Sequence, residues 1–211
     1  MRTLEHEINF RGEDLMKKIG SYSIVVCGAG AIGSNLIDNM VRQGFTRITV
    51  IDDDRVEDHN RQTQIYSRRD VGSLKVQALR SIVFNNMSVQ IEAQKLRLTE
   101  KTVSSLLTKG SLVVDGFDNA QSRGIVTDYC RKNGIDCLHV GLFQNYAEAI
   151  WNEQYHLDGD SKGADICEYP LARNVILLAV SVATEVIIRY IATGKKEQYT
   201  ITLGDFRIYG F

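Results

Sequence analysis

Ser23-Ile24-Val25-Val26-Cys27-Gly28-Ala29-Gly30-Ala31-Ile32-Gly33 is the stretch on which the reading of this chain turns. A short apolar run ends in glycine. Residues 31–43 follow, with Ile32, Leu36, Met40 and Val41 near helical spacing, and Gly44 stops them. Gly28-x-Gly30-x-x-Gly33 thus lies between a strand and a helix, the context in which this motif carries chemistry. The first glycine permits a tight turn, the second admits a phosphate to the backbone, and the third lets helix and strand pack closely. Amides at the helix N-terminus then face an anion. An acid about 20 residues further on is needed to hold a ribose hydroxyl. Asp52 stands there, after the β-branched run 48–51. A nucleotide site on Gly28, Ala29, Gly30, Gly33 and Asp52 is the expectation. A tight turn without a ligand is the plainer alternative, and the motif alone does not separate NAD from ATP.

Working outward, the pattern repeats. Helical spacing recurs over 75–84 (Val76, Leu79, Ile82, Val83), and residues 89–93 look like a strand. Thr99 is placed to cap a short helix running to Leu107. Strands follow at 112–114 and 137–140, separated by a helix over 122–132 that ends at Gly134. Short strands that are apolar throughout are buried on both faces. The expected fold is α/β and Rossmann-like: a mostly parallel sheet with helices on both faces. After Val140 the pattern changes. Residues 147–155 read as a strand, 158–165 as a polar surface loop, and 171–192 as a long apolar helix between Pro170 and Gly194. Residues 200–203 and 206–209 flank Gly204-Asp205 as a two-residue hairpin, making the C-terminal extension antiparallel. The long helix is apolar on several faces, as suits either a core helix or a dimer interface.

Composition narrows the function. Lys plus Arg is 25 and Asp plus Glu is 26, a net charge of -1, which argues against a general nucleic-acid binder. No signal peptide is evident in residues 1–10, and the longest apolar stretch contains Glu185 between Arg173 and Arg189, so no membrane span is expected. Cys27, Cys130, Cys137 and Cys167 form no C-x-x-C pair, against a structural zinc knuckle. A reducing cytoplasm is the expected location. His139 and His156 are isolated, as in a satisfied core or surface role.

Beyond the glycine loop come Asp52-Asp53-Asp54-Arg55-Val56, Asn60, Gln64, Val71-Gly72-Ser73-Leu74-Lys75, and Asp115-Gly116-Phe117-Asp118-Asn119 with Arg123. In these motifs the chain resembles the ThiF/MoeB/HesA family, bacterial relatives of ubiquitin-activating enzymes. That family's pattern is G-x-G-x-x-G, D-x-D-x-V, Asn-x-x-Arg-Gln, V-G-x-x-K and D-x-x-D-N, in this order. The resemblance covers residues 12–140 well and the remainder more loosely. It implies a single adenylation domain over 1–211, with a nucleotide core at 12–140 and an extension at 141–211. It implies ATP and Mg²⁺, and a C-terminal carboxylate attacking the α-phosphate. The implied partner is a small ubiquitin-like or sulfur-carrier protein, or a peptide, ending in glycine, acted on by a homodimer.

The resemblance assigns catalytic roles to Lys75 and Asp118, and magnesium to Asp118. Nucleotide contacts extend to Asp54, Asn60, Gln64, Lys75, Asp118 and Asn119. Lys75 can bring a point charge to phosphate, and Asp118, read as ending the fourth strand, suits a hard cation. Lys75 could instead cover an exposed helix face, and Asp118 could cap the following helix. Arg123 matches in spacing, although a surface salt bridge explains it equally.

Three departures stand out. Thr63 occupies the place of the family arginine, and threonine lacks a guanidinium. A gapped register makes Arg61 the catalytic arginine, and Arg68 and Arg69 lie in the same loop. The arginine that family members lend to a neighbouring subunit has only Arg11 and Arg2 as candidates. Cys167, a possible thioester nucleophile, has acidic neighbours that weaken a thiolate. Two alternatives therefore stay open: a nucleotide-binding interaction module without adenylation, and an NAD-linked oxidoreductase.

Overall fold

The parallel half of the sheet is built from five short strands, β1 (Ser23–Cys27), β2 (Arg47–Ile51), β3 (Glu92–Gln94), β4 (Leu112–Asp115) and β5 (Cys137–Phe143). The structure is a computed structural model that describes residues 4–108, 110–157 and 171–211. β6 (Tyr146–Trp151), β7 (Tyr199–Thr202) and β8 (Arg207–Gly210) continue the same sheet. The order is β3-β2-β1-β4-β5-β6-β7-β8. Pairing is parallel from β3 to β5 and antiparallel from β5 to β8, as expected of a Rossmann-like sheet with an antiparallel extension.

The helices are α1 (Glu5–Arg11), α2 (Glu13–Ser21), α3 (Ala31–Arg42), α4 (Lys75–Met87), α5 (Val103–Leu106), α6 (Ala120–Asn133) and α7 (Arg173–Thr193). Strand alternation divides them between two layers. Ile24, Val26, Leu112 and Val114 point into a core shared with α2, α3, α4 and α7. Val25, Cys27 and Val113 point the other way, towards α5 and α6. Leu36, Ile37 and Met40 of α3 are fully buried, each contributing roughly 1.5–3 kcal/mol.

α7 is long and apolar enough to cross a membrane by composition. Its Val175, Ile176, Ala179, Ala183 and Ile187 are instead buried in the core, and Thr184 accepts a 2.9 Å hydrogen bond from Asn39 of α3. The core-helix reading thus accounts for the buried faces, while Leu177 stays exposed. Gly194, at φ +73°, ends it. Pro170, Cys167 and the 158–165 loop lie outside the described residues.

Several boundaries move. Residues 5–21, unassigned from sequence, form α1 and α2; α1 buries no side chain, whereas α2 is amphipathic and buries Met16 and Ile19. The third strand begins at Glu92 rather than Val89. Thr99 heads a turn rather than a helix: Thr102 and Val103 amides donate to its carbonyl, and α5 starts only at Val103. The last hairpin closes at the pair Thr202–Arg207, so its loop has four residues, not two, and Phe206 takes the positive φ of 54°.

Order in the sheet reverses between β1 and β4. Chain growth runs from β1 outward to β3, then returns to the other side of β1. Open α/β sheets bind ligands beyond the strand ends at such a switch. The turn after β1 depends on Gly33, where an added Cβ would stand 1.9 Å from the Gly28 carbonyl oxygen. Gly33→Ala is expected to lower unfolding stability in urea by at least about 2 kcal/mol through overpacking. Gly30→Ala meets nothing within 4 Å and is expected to leave the midpoint nearly unchanged. Equal midpoints for both variants would contradict the tight-turn account.

Candidate functional site

A cleft opens at the carboxyl ends of β1 to β4. It is lined by Gly28 and Gly30 after β1, Asp52 to Asp54 after β2, and Leu96 to Leu98 after β3. Gly116 to Asn119 after β4, Ser122 of α6 and Lys75 of α4 complete it. Gly28 adopts φ +96°, and Gly30 caps α3 with open space above its Cα. The helix N-terminus thus faces the cleft, as an anion site requires.

Asp52 ties β2 to the glycine loop. Its Oδ2 accepts from the Ala29 amide at 2.7 Å and its Oδ1 from the Asp54 amide at 2.8 Å. Ala29 is fully buried, and its carbonyl accepts from the Tyr66 hydroxyl at 2.7 Å. Both polar groups of the Ala29 backbone therefore face protein, which corrects the expectation that Ala29 meets the ligand. Burial raises the Asp52 carboxyl above the ordinary aspartate range, against the opposing pull of Lys75 and the two amides.

Lys75 reaches the cleft because residues 54–56 and 72–75 bond to each other across the intervening loop. The Lys75 amide donates to the Asp54 carbonyl at 2.9 Å, and the Gly72 amide to the Val56 carbonyl at 2.8 Å. Lys75 is 8% exposed, and its Nζ donates to Asp54 Oδ2 at 2.8 Å. It is not a solvated helix residue.

β4 ends at Asp115, so Asp118 is not a strand terminus but the third residue of the following loop. Asn119, not Asp118, caps α6, accepting from the Ser122 amide at 2.8 Å. Asp118 is left exposed at the cleft wall, with an Asn119 amide contact at 3.5 Å. The loop is held from below. The Phe117 amide donates to Asp115 Oδ1 at 3.1 Å, and the Phe117 carbonyl accepts from Arg123 Nε at 2.6 Å. Arg123 also donates to the Val140 carbonyl at 2.7 Å and approaches Asp115 at 4.0 Å. It is an internal brace, which overturns the surface salt bridge.

His139 is fully buried beneath this loop. It meets Asp115 through Nδ1 at 2.9 Å and Asn152 Oδ1 through Nε2 at 2.7 Å, and it stacks on Tyr155 at 3.9 Å. This is the satisfied core role expected. Burial opposes the Asp115 charge, yet Arg123, His139 and the Phe117 amide together hold its carboxyl below the ordinary range. Cys27 and Cys137 are buried beside it, and burial raises both thiols well above their usual range.

Gly28, Gly30, Asp52, Asp54, Lys75, Asp118 and Asn119 therefore share one cleft. Gly33 supports it from the first turn of α3. The other expected residues do not line it. Asn60 closes a capping box, its Oδ1 accepting from the Glu57 amide at 2.9 Å. Gln64 is buried, and its Oε1 has no hydrogen-bond partner among the described residues. Arg61 pairs with Asp58 at 2.6 Å and lines a separate, shallow groove with Glu57, His59 and Gln62. Arg68 and Arg69 lie on an exposed 3₁₀ turn. Arg11 is engaged within the chain by Glu7 at 2.7 Å, Glu185 at 3.0 Å and Gln43 at 3.1 Å. Insertion into a neighbour would require Arg11 to leave these partners. Arg2 lies outside the described residues. The sequence reading missed Arg97, which stands in the cleft but in no motif; only its place after a short strand could have signalled it.

An open α/β sheet with a glycine loop, a strand-end acid and a braced lysine at its switch point defines a nucleotide-fold class. Within that class the chain belongs to the ThiF family, which it matches over residues 4–165. It is 34% identical over 166 residues to the sulfur carrier protein adenylyltransferase of Thermus thermophilus, covering 78% of this chain and 60% of that protein. It is 30% identical over 140 residues to the SAMP-activating enzyme E1 of Haloferax volcanii, covering 65% and 52%. The chain thus spans little more than half the length of these relatives. Among solved structures, Escherichia coli MccB with MccA-N7isoASN superposes with a TM-score of 0.80 at 15% identity, covering 93% of this chain and 65% of that one. PaaA superposes at 0.78 with 17% identity, covering 100% and 72%. These likenesses show a shared fold.

Lys75 lowers the Asp52 carboxyl against the effect of burial, so the charge pair has a measurable signature. In Lys75→Met, carboxyl-carbon NMR titration is expected to show Asp52 ionising at higher pH than in the parent protein. The sign for stability follows. A folded-state value above the unfolded one means ionisation of Asp52 opposes folding; the penalty begins above the unfolded value and is complete above the folded one. An unchanged Asp52 titration in Lys75→Met would contradict the coupling.

Proposed function

We propose that this chain adenylates the C-terminal carboxylate of a small ubiquitin-like or sulfur-carrier protein, or of a peptide, using ATP. The observation that carries the proposal is the juxtaposition of Lys75, Asp118 and the Gly28–Gly30 loop at one switch-point cleft in a ThiF-family chain. The relatives' names support the substrate class: one is a sulfur carrier protein adenylyltransferase, another a SAMP-activating enzyme.

On this reading a carboxylate oxygen attacks the α-phosphorus. The bond from that phosphorus to the oxygen bridging the β-phosphate breaks. An acyl-adenylate and pyrophosphate result. Little covalent chemistry falls to the protein, so positioning and charge carry the rate. Asp52 retains lone pairs for ribose hydroxyls beside the two amides it accepts. Gly30 and the α3 N-terminus take phosphate. Lys75 supplies the fixed positive charge, its ammonium already held by Asp54.

The residues fit magnesium. Asp118 offers an exposed carboxylate with only an amide contact, and no cluster of three acidic, histidine or cysteine ligands occurs among the described residues. Such a site suits a cation that keeps waters and phosphate oxygens as its other ligands. When bound, magnesium neutralises charge developing on the phosphates. The reading also includes a homodimer, a cytoplasmic setting and one adenylation domain over residues 1–211.

One observation favours a second reading. Thr63 holds the family arginine's place, and Arg61 lies outside the cleft. A nucleotide-binding module that engages a carrier without adenylating it has the same fold and lacks that guanidinium. The NAD reading is disfavoured by the lysine and the Asp118-Asn119 pair in the cleft.

Pyrophosphate exchange into ATP, measured with candidate carriers ending in glycine, separates these. Carrier-dependent exchange is expected. Lys75→Ala or Asp118→Ala should reduce it by about 100-fold or more, the effect of removing one preorganised electrostatic group. ATP binding without exchange for any carrier would favour the module. Exchange undiminished in both variants would contradict the site.

A further inference from the structure

Arg97 stands on the cleft wall between Leu96 and Leu98, three residues beyond the end of β3. Its backbone is fixed: Leu98 is buried in the core beneath α5 and α6, and Thr102 Oγ1 donates to the Arg97 carbonyl at 3.0 Å. Its side chain is exposed and makes no hydrogen bond or ion pair among the described residues. The other cation on the cleft wall, Lys75, is held by Asp54. Among the described residues, Arg97 is therefore the lining cation left available to a ligand.

Sheet order says which part of a ligand it meets. The strand ends run β3, β2, β1, β4. Strands lie about 4.8 Å apart, so the β3 end is roughly 10 Å from the glycine loop and roughly 14 Å from the β4 loop. On the nucleotide reading above, ribose lies at Asp52 after β2 and phosphates at the glycine loop after β1. Phosphates leave the ribose towards β1, so the base leaves it towards β3. What lies against residues 96–98 is the base. A guanidinium is planar, permanently charged, weakly hydrated and stacks on aromatic faces.

We propose that Arg97 closes the base end of the cleft by stacking its guanidinium on the purine of the bound nucleotide. It does not replace the missing phosphate-binding arginine. Stacking reads the π-face rather than a base edge, so Arg97 contributes affinity for ATP and GTP alike.

Calorimetric titration of the full chain with MgATP, adenosine and inorganic tripolyphosphate tests this. Arg97→Ala should weaken MgATP and adenosine about 5- to 10-fold and leave tripolyphosphate unchanged. Arg97→Lys keeps the charge but not the plane, and should weaken binding like the alanine variant. Arg97→Phe keeps a stacking plane without charge, and should restore most of the affinity. Circular dichroism spectra matching the parent protein would show that the variants fold. Loss of tripolyphosphate binding with adenosine unaffected, or rescue by lysine but not phenylalanine, would overturn the proposal in favour of a phosphate contact. Unchanged affinity for all three probes would overturn it outright. Failure of the parent protein to bind MgATP would overturn the nucleotide reading, and the role of Arg97 with it.

Discussion

The Gly28 carbonyl oxygen sits where a side chain at Gly33 would begin. That single contact sets how closely α3 approaches the end of β1, and much of the site depends on it. Held at this distance, α3 presents its N-terminus to the switch point, with Gly30 open above it. Asp52 then completes the arrangement from the neighbouring strand through the Ala29 amide. Tyr66 ties the same residue to the segment that carries Lys75, its hydroxyl lying 2.7 Å from the Ala29 carbonyl and 3.4 Å from the Lys75 carbonyl. Three elements distant in sequence are thereby registered on one buried backbone position.

The electrostatics divide into two layers. Among the described residues at the cleft surface, acids outnumber cations: Asp52, Asp53, Asp54 and Asp118 face Lys75 and Arg97. Burial and neighbouring aspartate make Asp52 harder to ionise, while Lys75 and the amides oppose that. Such a wall is poorly matched to a bare polyphosphate and better matched to one carrying a divalent cation. Below the surface, Asp115, His139, Asn152 and Arg123 form a largely buried network whose contacts converge on Phe117 and Val140. Removing one member would leave a buried partner unsatisfied, a more costly change than loss of an exposed ion pair. The network keeps the 116–119 loop in place without itself reaching the cleft.

Much of this was legible in the residues. Gly28, Gly30 and Gly33 in strand–helix context, with Asp52 at the expected distance, specified the first half of the sheet and the position of the cleft. Continuous apolar runs in β1 and β4 placed helices on both faces. Ordered motifs brought Lys75 and Asp118 together over a long sequence separation. What escaped depends on tertiary contact. Asn119 and Asp118 are both good caps, and only the fold shows that the asparagine has the role. Arg11 and Arg61 were candidates despite imperfect spacing, and within the chain they pair with Glu185 and Asp58. α1 buries no side chain and leaves no trace, while the amphipathic α2 is short and buries only Met16 and Ile19. Arg97 belongs to no motif, because its position follows from where β3 ends rather than from its neighbours in sequence.

Amide hydrogen exchange with and without MgATP tests the central claim, that the switch-point cleft is the nucleotide site, most directly. Slowed exchange is expected at residues 28–34, 52–54, 96–98 and 116–119, with the groove at 57–62 unaffected. Protection confined to that groove, or absent throughout the chain at saturating nucleotide, would contradict it.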